Sequence, residues 1–394
     1  MSQKERIPQL DIFRAIAILA VLAIHATSRT LSEMLDTSLF HPFLFINKFS
    51  QFAVPSFVFL SGFVLFYNYI DRPLSGKMLG KFYSKRLLYI IVPYVVFSLL
   101  YFILKMYAGN TWDLPAVEQI NKLGKYLLKG TAYTHLYYVI IIFQFYVLFP
   151  IFLWCLQKSR RIAACSPLIG LLLQWGFVLL NKYMTKNGYW ELSKGSLSIT
   201  YFSYFLLGAA IAIYYPTLKK WLIPSREGWQ SGKGMAWISL WVVWAAAGIV
   251  HVELWYSSYK KAAVINSLWY EGFSNLHALL SCIVLMQLSF LLYGRGRNWL
   301  AAMLSSMGAC SFGIYLLHPA LLYFYREIPF HGGSLAYAAA IAGGWLVALL
   351  GSWLVVALAF RYLKHSWIFF GSVPQKPKSG AKIITTDKSV KAQG

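Results

Sequence analysis

Residues 10–25 read LDIFRAIAILAVLAIH. Thirteen of these sixteen residues are apolar, and the other three are Asp11, Arg14 and His25. A bilayer span needs roughly 20 mostly apolar residues. In hydrocarbon every backbone amide must be satisfied internally, so such a stretch is a helix. Asp11 and Arg14 are three residues apart, share a helical face and can pair. Eleven steps of about 100° nearly complete three turns, so His25 lies on the same face, roughly 16 Å further along the axis. An ionisable group within a span is costly and marks function by default. The structural alternative is that Arg14 snorkels to the headgroups and His25 hydrogen-bonds a neighbouring helix. For one such residue the two readings weigh about equally. Three on one stripe tip the balance towards function.

The remainder of the chain has the same character. Of 394 residues, 58% are hydrophobic and 12% charged, with a mean hydropathy of +0.56. Soluble domains carry about 25% charged residues. So few charges cannot cover a soluble surface, and disorder is excluded except at the ends. The fold expected is all-α, a polytopic membrane protein of about ten transmembrane helices. The spans fall near 7–28, 43–70, 87–107, 136–156, 163–183, 197–215, 235–251, 273–292, 303–325 and 335–362, and the seventh is short. No internal repeat is visible.

The net charge of +23 would suggest nucleic acid in a soluble chain. Here basic residues fix topology and touch anionic lipid headgroups instead. No basic run alternates with aromatics, so a nucleic-acid partner is not expected. The loops on one side and the tail hold 24 of the 36 Lys and Arg residues. The positive-inside rule puts that side, and both termini, in the cytosol. The first span is not read as a cleaved signal peptide, because such a segment has no use for three ionisable groups. Residues 1–371 read as a single membrane domain and 372–394 as a disordered, basic cytosolic tail. The connection 108–135 could hold an interfacial helix. The four cysteines have no CxxC spacing, so neither a disulfide framework nor a metal site is expected.

Other polar groups fall into two layers. Near the cytosolic side, Ser61 and Gly62 lie in PSFVFLSGF, and Gly62 permits close helix approach. Arg86 opens the third helix, with Pro93 able to kink it soon after. Arg14 and Arg86 could bind phosphate groups there, although single arginines at that side ordinarily just mark topology. Towards the outer side, His135 opens the fourth helix in THLYY, and His318 lies in SFGIYLLHP, where Pro319 should break or kink the ninth. His277 lies within the eighth helix. Each of these histidines alone is more often structural. His41, His251, His331 and His365 read as loop or helix-end residues without a role.

At these motifs the chain resembles the acyltransferase 3 family of membrane O-acyltransferases. The features are LDIFRAIAILAVLAIH, PSFVFLSGF, KRLLYIIVPY, THLYYVIIIFQFYVLFP and SFGIYLLHP, in that order, from about residue 7 to 362. The fourth most resembles the subgroup near the intercellular-adhesin exopolysaccharide acyltransferases. The resemblance implies transfer of an acyl group, acetyl or succinyl, from cytosolic acyl-CoA to a hydroxyl. The acceptor would be a surface glycan or lipid-linked sugar at a bacterial cell membrane. It implies acyl-CoA as co-substrate and no bound cofactor. Arg14 and His25 correspond to donor-binding and catalytic residues. Arg86 corresponds to one member of a basic pair whose second position is Tyr89 here. Some members carry a fused extracellular esterase-like domain that passes the acyl group on; no such segment is present here, so the chain is expected to act alone.

The two layers suit that chemistry. Arginines at the inner face can hold phosphates bidentately, with Ser61 alongside and Asp11 supporting Arg14. The thin pantetheine arm can then thread towards His25. There an imidazole can act as general base on the acceptor hydroxyl or carry the acyl group briefly. His135 and His318 are expected to orient the acceptor. Two other classes explain the spans: a secondary transporter or polysaccharide exporter, and a non-catalytic scaffold or sensor. The first predicts paired broken helices in repeated halves, which the sequence does not show. The second leaves the Arg14–His25 stripe unexplained.

Overall fold

The computed structural model describes residues 4–109, 115–190, 192–261, 264–294, 299–330 and 332–373. The expected tail from residue 374, Arg295, Arg297 and His331 lie outside them. Among the described residues there are helices and turns but no strand. Long apolar helices run over Gln9–Glu33 (α1), Phe40–Tyr69 (α2), Gly76–Ala108 (α3) and Tyr137–Lys158 (α5), with an amphipathic helix, Ala116–Lys129 (α4), between the last two. Arg160–Lys186 (α6) follows, then a pair, Ser198–Ile213 (α7) and Tyr215–Leu222 (α8), bent by 102°. Lys233–Tyr259 (α9) and Ser267–Gly294 (α10) precede a second pair, Trp299–Ala309 (α11) and Ser311–Arg326 (α12), bent by 78°. Ser334–Tyr362 (α13) is the last long helix, and Trp367–Phe370 (α14) packs back on α3. Eight helices are long and apolar enough to cross a bilayer, and counting each bent pair as one span gives up to ten. The chain is an all-α polytopic membrane protein.

Helix α1 is the hub. Helices α2, α10, α11, α12 and α13 all pack on it. Two thirds of its most apolar stretch is buried inside the protein, against 28% for α6, α9 and α13, whose apolar faces point outwards. Small residues allow the closest approaches. A Cβ at Gly62 would run into the Phe205 carbonyl, and one at Gly208 into the Phe59 carbonyl, so α2 and α7 meet backbone to backbone. A Cβ at Gly308 would run into the Asp11 carbonyl, which presses α11 against the ionisable end of α1. Buried amide groups knit the interior. Gln174 accepts from Ser203 Oγ (2.6 Å), and Asn275 donates to Tyr204 Oη (2.7 Å).

The ends of the bundle are distinct. Lys4 bridges Asp71 at 2.6 Å, Gln157 donates to the Arg72 carbonyl (2.7 Å), and Tyr214 donates to the Arg160 carbonyl (2.7 Å). The beginnings of α1 and α6 and the ends of α2 and α5 therefore share one end, which we term the basic end. At the opposite end His41 meets Glu253 (2.8 Å), and Lys260 donates to the Leu35 carbonyl (2.5 Å). Helix α4 exposes Val117, Ile120 and Leu128, and Tyr94 donates to its Leu127 carbonyl (2.7 Å). The connection 108–135 thus holds an amphipathic helix.

Three sequence expectations need correction. The seventh span is not short: α9 continues through Glu253 to Tyr259, because His41 satisfies Glu253 and Trp255 packs on Tyr270. Arg86 does not open the third helix. Ser75 caps it a full ten residues earlier by accepting from the Met78 amide (3.3 Å), and Arg86 instead precedes a π-helical stretch, Leu87–Ile91, within α3. The break in the ninth span is at Cys310, and α12 runs on through Pro319. There the Tyr101 hydroxyl stands in the helix ladder, donating to the Leu316 carbonyl (2.7 Å) and accepting from the Ala320 amide (3.2 Å). Backbone groups near a proline in a membrane helix are commonly satisfied by a neighbouring helix in this way.

The glycine contacts are testable. Gly208→Ala should lower stability by about 1–3 kcal/mol by overpacking, read as a drop in melting temperature of the detergent-purified protein. Gly176→Ala, where a Cβ meets nothing within 4 Å, should not lower it. Equal melting temperatures for wild type and Gly208→Ala would refute the backbone contact.

Candidate functional site

The charged end of α1 is fully paired. Asp11 accepts from Arg6 Nη2 (2.7 Å) and Arg14 Nη1 (2.6 Å), so one buried carboxylate fixes two guanidinium groups. Arg14 retains about a third of its side-chain exposure. Across from it on α2, Ser61 lies beside the Tyr138 hydroxyl, and Arg14 lies near enough to that hydroxyl to act on it electrostatically. Arg86 sits over the Tyr146 ring at 5.0 Å and the Phe82 ring at 5.4 Å, and its buried Nε has no hydrogen-bond partner. Tyr146 is in turn an electrostatic neighbour of Tyr138. Arg14, Ser61 and Arg86 are thus gathered around two tyrosines of α5, while the two arginines do not touch each other.

Deeper in the bundle the line continues. The Tyr138 ring is 5.6 Å from Tyr315, whose hydroxyl donates to the His135 carbonyl. Beyond it three histidines, separated by 110 and 183 residues in sequence, meet. The ring centroids lie 5.1 Å apart for His25–His318, 5.5 Å for His135–His318 and 6.2 Å for His25–His135. His135 lies just before the first turn of α5, as expected, and is fully buried. The segment before α5 dips into the bundle and buries it between Tyr101 and Tyr315, at 5.2 and 5.0 Å. His318 Nδ1 lies 3.0 Å from the Ile314 carbonyl, which assigns the proton to Nδ1 and leaves Nε2 unpartnered. The Leu316 carbonyl lies near the His135 ring but is not aligned for a hydrogen bond, so both its nitrogens are unpartnered. A buried polar atom without a partner costs about 1–3 kcal/mol. Three such nitrogens together mark a place built for other polar groups.

Several members of this line were not singled out in the sequence. Tyr315 lies three residues before His318 on α12 and shares its helical face, and Tyr138 lies three after His135, in the first turn of α5. That spacing was a usable signal. Arg326 had none: its Nη2 donates to the carbonyls of His25 (2.6 Å) and Ala26 (3.3 Å), 300 residues away in the chain. The remaining histidines lie elsewhere. His277 packs against Phe49 (4.5 Å) and Trp244 (5.8 Å). His251 is not a helix-end residue but lies buried within α9, its Nε2 3.2 Å from Gln51. No group of three or more His, Cys, Asp or Glu among the described residues is placed to hold a metal ion. An open hollow of about 410 Å³ at the basic end is lined by Arg72 and Arg160 and does not reach the histidines.

Residues 7–363 match the acyltransferase 3 family, described as an acyltransferase domain. No curated protein and no solved structure matches the chain. The match runs from the start of α1 to the end of α13 and takes in every residue of the polar line, from Arg14 to Arg326. The chain therefore belongs to the acyltransferase 3 family and is a membrane acyltransferase.

Proposed function

We propose that the protein moves an acyl group, acetyl or succinyl, from acyl-CoA at its basic end to a hydroxyl of a glycan or lipid-linked sugar reaching it from the opposite end. The observation that carries this reading is the polar line itself. It starts at cations suited to phosphates, runs along Tyr138 and Tyr315, and ends at a cluster of imidazoles with unpartnered nitrogens. Arg14, fixed by Asp11, and Arg86, with Ser61 beside them, are the donor-binding groups. Arginine forks match the phosphate oxygens of the nucleotide end. The basic end faces the cytosol by the positive-inside rule, at a bacterial cell membrane.

His25 is the catalytic base in this reading. It accepts the proton of the acceptor hydroxyl as that oxygen attacks the thioester carbonyl. The tetrahedral intermediate collapses, the carbon–sulfur bond breaks, and the same proton returns to the leaving thiolate. One ester forms and one thioester is lost, with no other reactant. His318 and His135 present their unpartnered nitrogens to acceptor hydroxyls and so orient them. Burial away from water restrains hydrolysis of the thioester.

Two experiments separate this from a transporter or exporter. His25→Ala should lower acyl transfer by about 10²–10⁴-fold, while the protein still gains melting temperature with acetyl-CoA, since a ligand that binds the folded state raises apparent stability. Full transfer in a normally inserted His25→Ala protein would rule the base role out. Arg14→Ala should lose most of the stabilisation by acyl-CoA. If acyl-CoA stabilises neither wild type nor variant, and substrate flux proceeds without it, the transporter reading is correct.

A further inference from the structure

Arg326 is a cation at the histidine end that the transfer chemistry above does not use. It closes α12, half-buried, and among the described residues it forms no ion pair, not even with the adjacent Glu327. Its Nη2 donates instead to the carbonyls of His25 (2.6 Å) and Ala26 (3.3 Å). The regular helix of α1 ends at Thr27 and resumes at Thr30. The last carbonyls before such an end lack an amide partner within the helix. Left unmade inside a membrane protein, those bonds are costly. An arginine satisfies them well, because a cation is favoured by the partial negative charge at a helix C-terminus.

Two more side chains hold the same turn. Ser28 Oγ donates to the His25 carbonyl (2.9 Å). From α2, the buried Asn47 donates to the Ile24 carbonyl (3.1 Å) and to Thr27 Oγ (3.0 Å), which itself donates to the Ala23 carbonyl (2.7 Å). The turn that carries His25 is thus gripped by α2 on one hand and α12 on the other. Helix α12 grips it twice. It also carries His318, whose ring lies 5.1 Å from the His25 ring, eight residues or roughly 12 Å before Arg326. One contact is with the backbone of His25 and the other with its ring, and together they fix the direction of the side chain. We infer that Arg326 is a positioning residue for the transfer reaction. It acts through the His25 backbone, with Asn47 as its counterpart on α2, and keeps the imidazole aimed at the reacting hydroxyl. This rests on the base role of His25. A plain helix cap would stabilise the fold and nothing more, whereas a positioning residue changes turnover through His25 alone.

The test uses the full-length protein in inside-out vesicles that carry the cell's own glycan, with radiolabelled acetyl-CoA and, separately, succinyl-CoA. Arg326→Met keeps the length of the side chain and removes its donors. It should lower kcat by about 10²-fold, the cost of a reacting group misplaced by roughly 1 Å, and leave KM for the acyl-CoA within about twofold. Arg326→Lys, which keeps a charged donor, should recover about tenfold of that loss. In a His25→Ala background Arg326→Met should cause no further loss, because a group that acts through His25 then has nothing to position. Asn47→Leu should show the same non-additivity, and it decides the matter if Arg326→Met does not fold. An equal fractional loss in both backgrounds overturns the inference, since lost folded protein or a direct contact with substrate would act regardless of His25. A raised KM with kcat unchanged overturns it in favour of substrate binding. Full transfer by His25→Ala overturns the base role and this inference with it, whereas an intact base role with additive losses overturns this inference alone.

Discussion

A polar stripe on the most enclosed helix of a membrane protein has to be satisfied by the helices around it, because lipid offers it nothing. Helix α1 is that helix, and its neighbours are arranged accordingly. At the basic end Asp11 holds Arg6 and Arg14 at 2.7 and 2.6 Å, and Gly308 lets α11 close over it. At the other end Arg326 ties down the His25 and Ala26 carbonyls. Between these two fixed ends the surrounding helices present tyrosines and histidines rather than leucines. The rest of the bundle, with its glycine contacts and outward-facing α6, α9 and α13, serves to keep that interior dry.

What could be read in the sequence followed from local periodicity. Asp11, Arg14 and His25 share a face by helix geometry alone, and α1 presents them as expected. The long apolar runs disclosed the helices. What could not be read depends on distant partners. Glu253 looked like the end of a span because its partner, His41, is more than 200 residues away. His135 was legible as the start of the fourth helix, but nothing local shows that it is buried between Tyr101 of α3 and Tyr315 of α12. The three-histidine cluster is a tertiary fact: no spacing links residues 25, 135 and 318. Arg326 bonds a backbone carbonyl, an atom every residue carries, and so leaves no trace in the side-chain pattern.

Pro319 shows how strongly the site depends on one neighbour. A proline removes an amide and frees the carbonyl four residues earlier, which ordinarily kinks or breaks the helix. Here the carbonyl freed is that of Tyr315, and the Tyr101 hydroxyl bridges the next pair of the ladder, Leu316 and Ala320, across the turn that holds His318 and Pro319. The same Tyr101 ring packs on Tyr133 and His135 at 4.5 and 5.2 Å. One side chain of α3 therefore sets the positions of two of the three histidines.

Helix α3 also carries Arg86, fifteen residues or roughly 22 Å nearer the basic end. Between the two lies the π-helical stretch Leu87–Ile91. A π turn takes in one extra residue and so rotates everything beyond it by about 100° relative to an unbroken α-helix. The turn uncouples the two ends of α3: Arg86 is aimed at Tyr146 and Phe82 by one register, and Tyr101 at α12 by another. A straight α-helix with Arg86 in its present place would turn Tyr101 out of the ladder of α12. It would leave the groups beside Pro319 without the hydroxyl that now joins them. The basic end and the histidine end of the interior are thus spanned by both α1 and α3, and the π turn lets each end of α3 take its own register.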